Sequence, residues 1–195
     1  LGLVMCLALL VGRASSIQIA EELFVDLDAA SYTTGDATWA NTGSYTDFDA
    51  LGDPESGFVE TTPVIWFDGA NDAFEGQDSA PGGLVGLNPT STVEAWVLNP
   101  SVAGEETVLA WGMRGGPDGT NMSFNYGTDK SFGAVGHWGD YDVGWVGSPR
   151  ANEWHHLAYT HDGQFTRVYL DGTLNNEKDT TGLDTHSDPA IAIAA

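Results

Sequence analysis

Several groups of side chains in this 195-residue chain have types and spacings that could do chemistry. Asp68, Asn71 and Asp72 crowd oxygen donors into one turn, and hard cations such as calcium take carboxylate and carbonyl oxygens. Two readings of this turn stand side by side. In one, the three side chains hold calcium. In the other, they bond backbone N–H groups and merely shape the turn at Asp68-Gly69. Asp26 and Asp28 form a weaker acidic pair, and no D-x-[DN]-x-[DN]-G loop is present, so any calcium affinity is modest. A second group is His155, His156 and His161. On a strand, His155 and His161 share one face with Leu157 and Tyr159, while His156 shares the other with Trp154, Ala158 and Thr160. Adjacent histidines on opposite faces cannot chelate one zinc ion, so His156 reads as a core residue fixing its strand by a hydrogen bond. A third group is the segment from Gly136 to Trp145, GHWGDYDVGW, with Arg114 and Asn121 in a nearby polar loop. Aromatic faces beside hydrogen-bonding groups are what a sugar requires of a surface. The expected ligand-contacting set is therefore Arg114, Asn121, His137, Asp140, Tyr141 and Trp145. A competing reading turns Trp138 and Trp145 into the core and leaves Tyr141, inside an acidic turn, as the best exposed of the group.

These residues must be held by short strands. In Ser91 to Asn99, Val93, Ala95 and Val97 share one face while Glu94, Trp96 and Leu98 share the other. Trp154 to His161 and Thr166 to Leu170 flank Asp162-Gly163, a strong hairpin signal, and Asp171-Gly172 marks a further turn. Leu23 to Leu27, Val64 to Phe67, Glu106 to Trp111, Met122 to Tyr126, Phe132 to Trp138 and Val143 to Val146 also have strand character. From Asp28 to Thr62 the composition shifts to Ser, Thr, Gly, Asp and Asn. That stretch reads as an irregular excursion pinned to the core by Trp39, Tyr45, Phe48 and Phe58. No 3.6-residue apolar period and no internal repeat emerges. Short strands at roughly ten-residue spacing predict an all-β, two-sheet antiparallel sandwich.

Composition narrows the function. There are 28 acidic and 6 basic side chains, a formal charge of −22. Nucleic-acid binding draws on Lys and Arg neutralising phosphates, and so few cations exclude it. Adhesion to an anionic membrane fails for the same reason. The 7 Trp, 6 Tyr and 8 Phe argue against disorder and for a packed interior. Residues 1–16 begin with the apolar run LGLVMCLALLVG and close on Arg13, Ala14, Ser15 and Ser16, as a signal peptide does; the alternative is a short buried helix. The only cysteine, Cys6, lies within that run, so a processed chain would carry no thiol. Ala190 to Ala195 reads as a strand left without a partner, which predicts a fragment of a longer protein with further domains.

Two segments are specific enough to name a family. Asn152 to Gly163 (NEWHHLAYTHDG) with Val168 to Gly172 (VYLDG) resembles the W-H-H-(V/L)-A-x-T-x-D-G … (V/L)-Y-(V/L)-D-G signature of laminin-G-like jelly-roll domains, within the concanavalin A-like lectin/glucanase group. Val64 to Phe74 (VIWFDGANDAF) is similar to that family's first core strand and F-D-G turn, and Ser91 to Val97 (STVEAWV) matches its following strand. The resemblance divides the chain into residues 17–62, an N-terminal strand and irregular segment packed on the sandwich, and 63–195, a jelly-roll domain incomplete at its C-terminus.

The resemblance implies a secreted or cell-surface recognition module for a glycan or an extracellular protein, with calcium as an accompanying ion in many members. Once the signal segment is removed, nothing in such a module inserts into a membrane. Glucanases of this group place two carboxylates on one strand in an E-x-D-x-x-E arrangement. Here Glu177-Lys178-Asp179 lacks the second Glu and reads as part of a polar turn, while the strand at Thr92 to Leu98 offers Glu94 alone. The reading is therefore non-catalytic. The alternatives are a structural spacer in a large extracellular protein, and a domain associated with a glycoside hydrolase.

Overall fold

The computed structural model describes residues 22–194, so the predicted signal peptide and Cys6 lie outside the described residues. Strands β1 (Thr38–Trp39), β2 (Phe48–Leu51), β3 (Glu55–Val59), β4 (Thr62–Trp66) and β5 (Ala73–Ser79) lead into β6 (Gly86–Leu87) and β7 (Thr90–Leu98). Then come β8 (Thr107–Gly112), β9 (Asn121–Asn125), β10 (Val135–Gly136), β11 (Trp154–Asp162) and β12 (Phe165–Leu170). The last are β13 (Thr173–Asp179), β14 (Asp184–Thr185) and β15 (Ala190–Ile193). No α-helix occurs among the described residues; short 3₁₀ turns lie at Ala29–Ser31 and Gly139–Tyr141. The all-β expectation holds.

Two antiparallel sheets carry the architecture. The larger has the order β1-β2-β5-β15-β8-β9-β10, and the smaller β13-β12-β11-β7. One buried cluster joins them. Phe48, Phe74, Leu109, Trp111, Met122, Phe124 and Ile191 come from the large sheet, and Leu157, Tyr159 and Val168 from the small one. Alternation decides which residues enter. Along β11 every second side chain is buried (His155, Leu157, Tyr159, His161), and those between remain partly open. Phe124 meets Tyr159 across the core at 6.3 Å and Trp145 at 6.4 Å.

The excursion from Asp28 to Thr62 is more ordered than composition implies. It contains β1, β2 and β3, with β2 paired to β5 and β3 paired to β4 as a separate hairpin. Trp39 and Phe48 do anchor it in the core, whereas Phe58 stands exposed on the hairpin. Val143 to Val146 forms no strand beyond a single bridge between Val135 and Val143. Glu177 to Asp179 belongs to β13 and not to a turn. The strand at the end of the chain also differs from expectation: β15 pairs with β5 on one side and β8 on the other. Among the described residues the edge strands are instead β1 and β10 in the larger sheet and β13 and β7 in the smaller.

Asp171 locks this frame. At the Asp171-Gly172 turn it takes a left-handed φ of 51°. Its carboxylate accepts from the His156 amide at 2.9 Å and faces Nδ1 of the buried His155 ring, also at 2.9 Å. The other nitrogen of His155 accepts from the Arg150 amide. Asp171→Ala is expected to lower unfolding free energy by about 2 kcal/mol, since it orphans a buried donor and places alanine at positive φ. Asp171→Asn, which keeps a side-chain oxygen and tolerates that φ, should recover most of the loss in urea titrations.

His137 is the other titratable group built into the interior. It is fully buried, with Nδ1 facing the Asn121 carbonyl at 3.0 Å and Nε2 facing the Thr166 hydroxyl at 3.1 Å. A carbonyl only accepts, so Nδ1 carries the proton and Nε2 accepts from Thr166. Burial pushes this imidazole down to about 4, so it is neutral in the native state. The unfolded chain binds this proton near its ordinary value of about 6.5. Between those limits the unfolded state holds more protons than the folded one, so stability is complete above about 6.5 and falls as pH drops towards 4. The full contribution is about 3 kcal/mol. Urea unfolding at pH 7 and pH 4.5 should show this loss, and His137→Gln should shrink the difference.

Candidate functional site

The outer face of the four-stranded sheet presents the most developed arrangement of surface groups. Its composition follows from the register. His156 pairs with Trp96, Ala158 with Glu94 and Thr160 with Thr92. On the other side Ala158 pairs with Tyr169 and Thr160 with Arg167, and Arg167 then pairs with Glu177. Side chains therefore stand in cross-strand rows. The row Glu94, Ala158, Tyr169 has a methyl group at its centre. The flanking rows carry Trp96 with His156 on one side, and Thr92, Thr160 and Arg167 on the other. Alanine between bulkier rows makes a shallow trough, with rows two residues either side of Ala158 about 13 Å apart.

Trp96 is 69 % exposed, although it is the kind of residue a β-sandwich ordinarily buries. Its indole ring lies 5.3 Å from the His156 ring, tilted by 52°. His156 in turn places Nε2 3.3 Å from a Glu94 carboxylate oxygen. The indole thus packs beside a neighbour that is itself tethered and is otherwise largely open to solvent. At the far side Arg167 is clamped between Asp162 and Glu177, 2.5 Å from each, and its guanidinium lies over the Phe165 ring. Asp162 also accepts from the Phe165 and Gln164 amides. Those amide bonds, the Phe165 one foremost, and the Arg167 guanidinium hold its carboxyl well below the usual range.

Chemically, this face can stack an apolar ring surface on Trp96 and exchange hydrogen bonds through Glu94, His156, Thr92, Thr160 and Tyr169. Its two glutamates, Glu94 and Glu177, are too far apart to act as a hydrolytic carboxylate pair. Glu94 and Glu177 lie on strands three spacings apart, about 14 Å. That exceeds the 5–5.5 Å of retaining and the 6.5–9.5 Å of inverting carboxylate pairs. Glu177 is, moreover, engaged with Arg167.

The residues expected from sequence to form the ligand surface do not converge on one face. Asn121, His137 and Trp145 are buried. The Asn121 side chain donates to the Gly136 carbonyl, His137 bridges Asn121 and Thr166, and the Trp145 indole donates to the Asn125 carbonyl. Polar residues among glycines read as surface, yet here they staple a loop to the sheets beneath. Arg114 is exposed and pairs with Glu105 at 2.8 Å. Tyr141 is half-buried, its ring against Gly119 and its hydroxyl beside Gly182. Asp140 is exposed and lines a polar cleft of about 470 Å³ with Lys130, Asp142, Glu177 and Lys178. Trp138 turns outward, with φ 77° and ψ 130°, a conformation sparsely populated by residues other than glycine.

His156 also departs from its expected place. It stands on the outer face beside Trp96, and its neighbour His155 is the buried, hydrogen-bonded histidine. At the acidic turn, Asp68 accepts from the amides of Ala70 and Asn71, and these bonds draw its carboxyl below the ordinary range. Asp72 is buried and accepts from the amides of Asp53 and Asp68. This is the geometry of Asx-stabilised turns. Among the described residues, no group of three or more His, Cys, Asp or Glu side chains is placed to hold a metal ion. Glu94, Trp96 and Leu98 were already legible as one face of a strand, but their partnership with His156 required the neighbouring strand.

The profile described as the concanavalin A-like lectin/glucanases superfamily matches residues 68–195. No curated protein matches the chain. Among solved structures, domain 4 of AbnA, a GH43 extracellular arabinanase from Geobacillus stearothermophilus in complex with arabinotriose, superposes with a TM-score of 0.59. It is 16% identical, and the match covers 89% of this chain and 84% of that one. The carbohydrate binding module CBM66 from Bacillus subtilis gives a TM-score of 0.39 at 13% identity, over 76% of this chain and 92% of that one. The first of these likenesses is one of fold.

Proposed function

We propose that this chain, which belongs to the concanavalin A-like lectin/glucanases superfamily, is a non-catalytic module of an extracellular protein that binds carbohydrate on the outer face of its four-stranded sheet. The observation that carries this reading is Trp96, an exposed indole packed beside His156, which Glu94 tethers, above a trough floored by Ala158. A sugar ring offers C–H groups on its faces and hydroxyls at its rim. An aromatic plate beside carboxylate, imidazole and hydroxyl groups matches both. The wide separation of Glu94 and Glu177 supports recognition without bond cleavage. Fold likeness to an arabinanase domain solved with arabinotriose makes arabino-oligosaccharides the first ligands to try and supports an extracellular setting.

Isothermal titration against arabinan and a panel of neutral glycans tests the reading. Trp96→Ala is expected to weaken binding at least tenfold, about 1.4 kcal/mol, with an unchanged melting temperature because the side chain is exposed. Affinity that survives this substitution, or a wild-type chain that binds no glycan, would defeat the assignment. Repeating the titration in EDTA examines calcium at Asp68, Asn71 and Asp72. Affinity should hold, because the carboxylates of Asp68 and Asp72 already serve backbone amides.

A further inference from the structure

We infer that the glycans this face accepts are uncharged, and that Arg167 is kept from receiving an anionic sugar by the two carboxylates that clamp it. The inference rests on carbohydrate recognition at this face and adds the class of ligand. Across the outer face, Glu94 on β7, Asp162 at the end of β11, and Glu177 and Asp179 on β13 are all acidic. Arg167 is the only lysine or arginine among them. Its Nη1 reaches Asp162 and its Nε reaches Glu177, so the fork that would grip a uronate or sulfate in bidentate fashion is already occupied.

Among the described residues no other lysine or arginine stands on this face; Lys130 and Lys178 lie in the neighbouring polar cleft, which Glu177 also borders. Arg114 is paired with Glu105 and Arg150 lies 3.9 Å from Glu153, both in loops. Lys178 donates to the Asp142 carbonyl in the neighbouring polar cleft. The chain as a whole carries −22. A polyuronate or sulfated glycan approaching the Trp96 trough therefore meets carboxylates on both sides and a field of its own sign, while a neutral chain of hydroxyls meets acceptors it can donate to.

The test compares two ligand classes and one double variant. Neutral arabinan and polygalacturonate are run against the wild-type protein by affinity electrophoresis at about 0.02 M and about 0.5 M salt, conditions under which surface charge is little and strongly screened. The expected result is retention by arabinan at both, and none by polygalacturonate at either. The double variant Asp162→Asn, Glu177→Gln removes both countercharges. It leaves an oxygen on residue 162 for the Gln164 and Phe165 amides that shape the turn. With an unchanged circular dichroism spectrum, this variant should gain retention by polygalacturonate at low salt and lose it at high salt. Wild-type protein that binds polygalacturonate in preference to neutral glycans would overturn the inference. So would a folded double variant that gains nothing. A wild-type chain that binds neither polygalacturonate nor any glycan of the neutral panel would instead overturn carbohydrate recognition itself, and this inference with it.

Discussion

Strict alternation along β11 is the constraint on which the rest of the molecule depends. Its even-numbered side chains face solvent and its odd-numbered ones are buried, and both sets matter. Leu157 and Tyr159 pack on Phe124 and its neighbours, while His156 and Ala158 shape the outer trough. A slip of one residue would bury His156 and expose Tyr159, so core and site share one register. Two acidic turns pin it. Asp171 holds the start of the strand through His155 and the His156 amide, and Asp162 caps its end by accepting from Gln164 and Phe165. Both positions precede a glycine with positive φ. Residue type, backbone conformation and strand register agree at each.

The polar interior performs a related task on the opposite side of the core. Asn121, His137, Thr166 and Thr180 form a chain of hydrogen bonds that ties β9, the loop after β10, β12 and the segment after β13 together. Each member is buried and satisfied, which makes such a chain tolerable inside a sandwich. It also explains the glycines around His137. Gly139 lies so close to Asp118, and Gly144 to the Lys130 carbonyl, that a Cβ at either position would collide. The segment from Gly136 to Trp145 is glycine-rich because it is pressed against other chain segments, and its aromatic content is divided between core and surface for the same reason.

Legibility in the sequence followed the strength of the local period. β7, β11 and β12 were readable because five or more residues alternate without interruption between turn signals. β1, β2 and β3 were not, since strands of two to five residues with scattered apolar positions give no period to detect, and their pairing with distant strands decides them. His156 reads as inward from sequence yet stands outward, because alternation divides residues into two sets without saying which set is inward. The partner strands settle that, through Val93, Ala95 and Val97 beside Leu157 and Tyr159. The outer site suffered most from this ambiguity. Trp96 is a large apolar residue, and only the three-dimensional pairing shows that its strand has spent its inward positions on smaller side chains.

The acidity of the chain gains a physical meaning from these placements. Aspartate is used here because its short carboxylate can accept from amides two or three residues ahead, as Asp68, Asp129, Asp162 and Asp179 all do. The charge follows from that use, and its location follows from where strands end. Turns between β11 and β12 and after β13 fall at one end of the outer face, so the carboxylates of Asp162 and Asp179 that shape them also border the trough there. Arg167 then becomes a structural partner to Asp162 and Glu177, unavailable to a ligand. A requirement of hairpin geometry thus sets the electrostatic character of a surface whose aromatic plate is otherwise indifferent to charge.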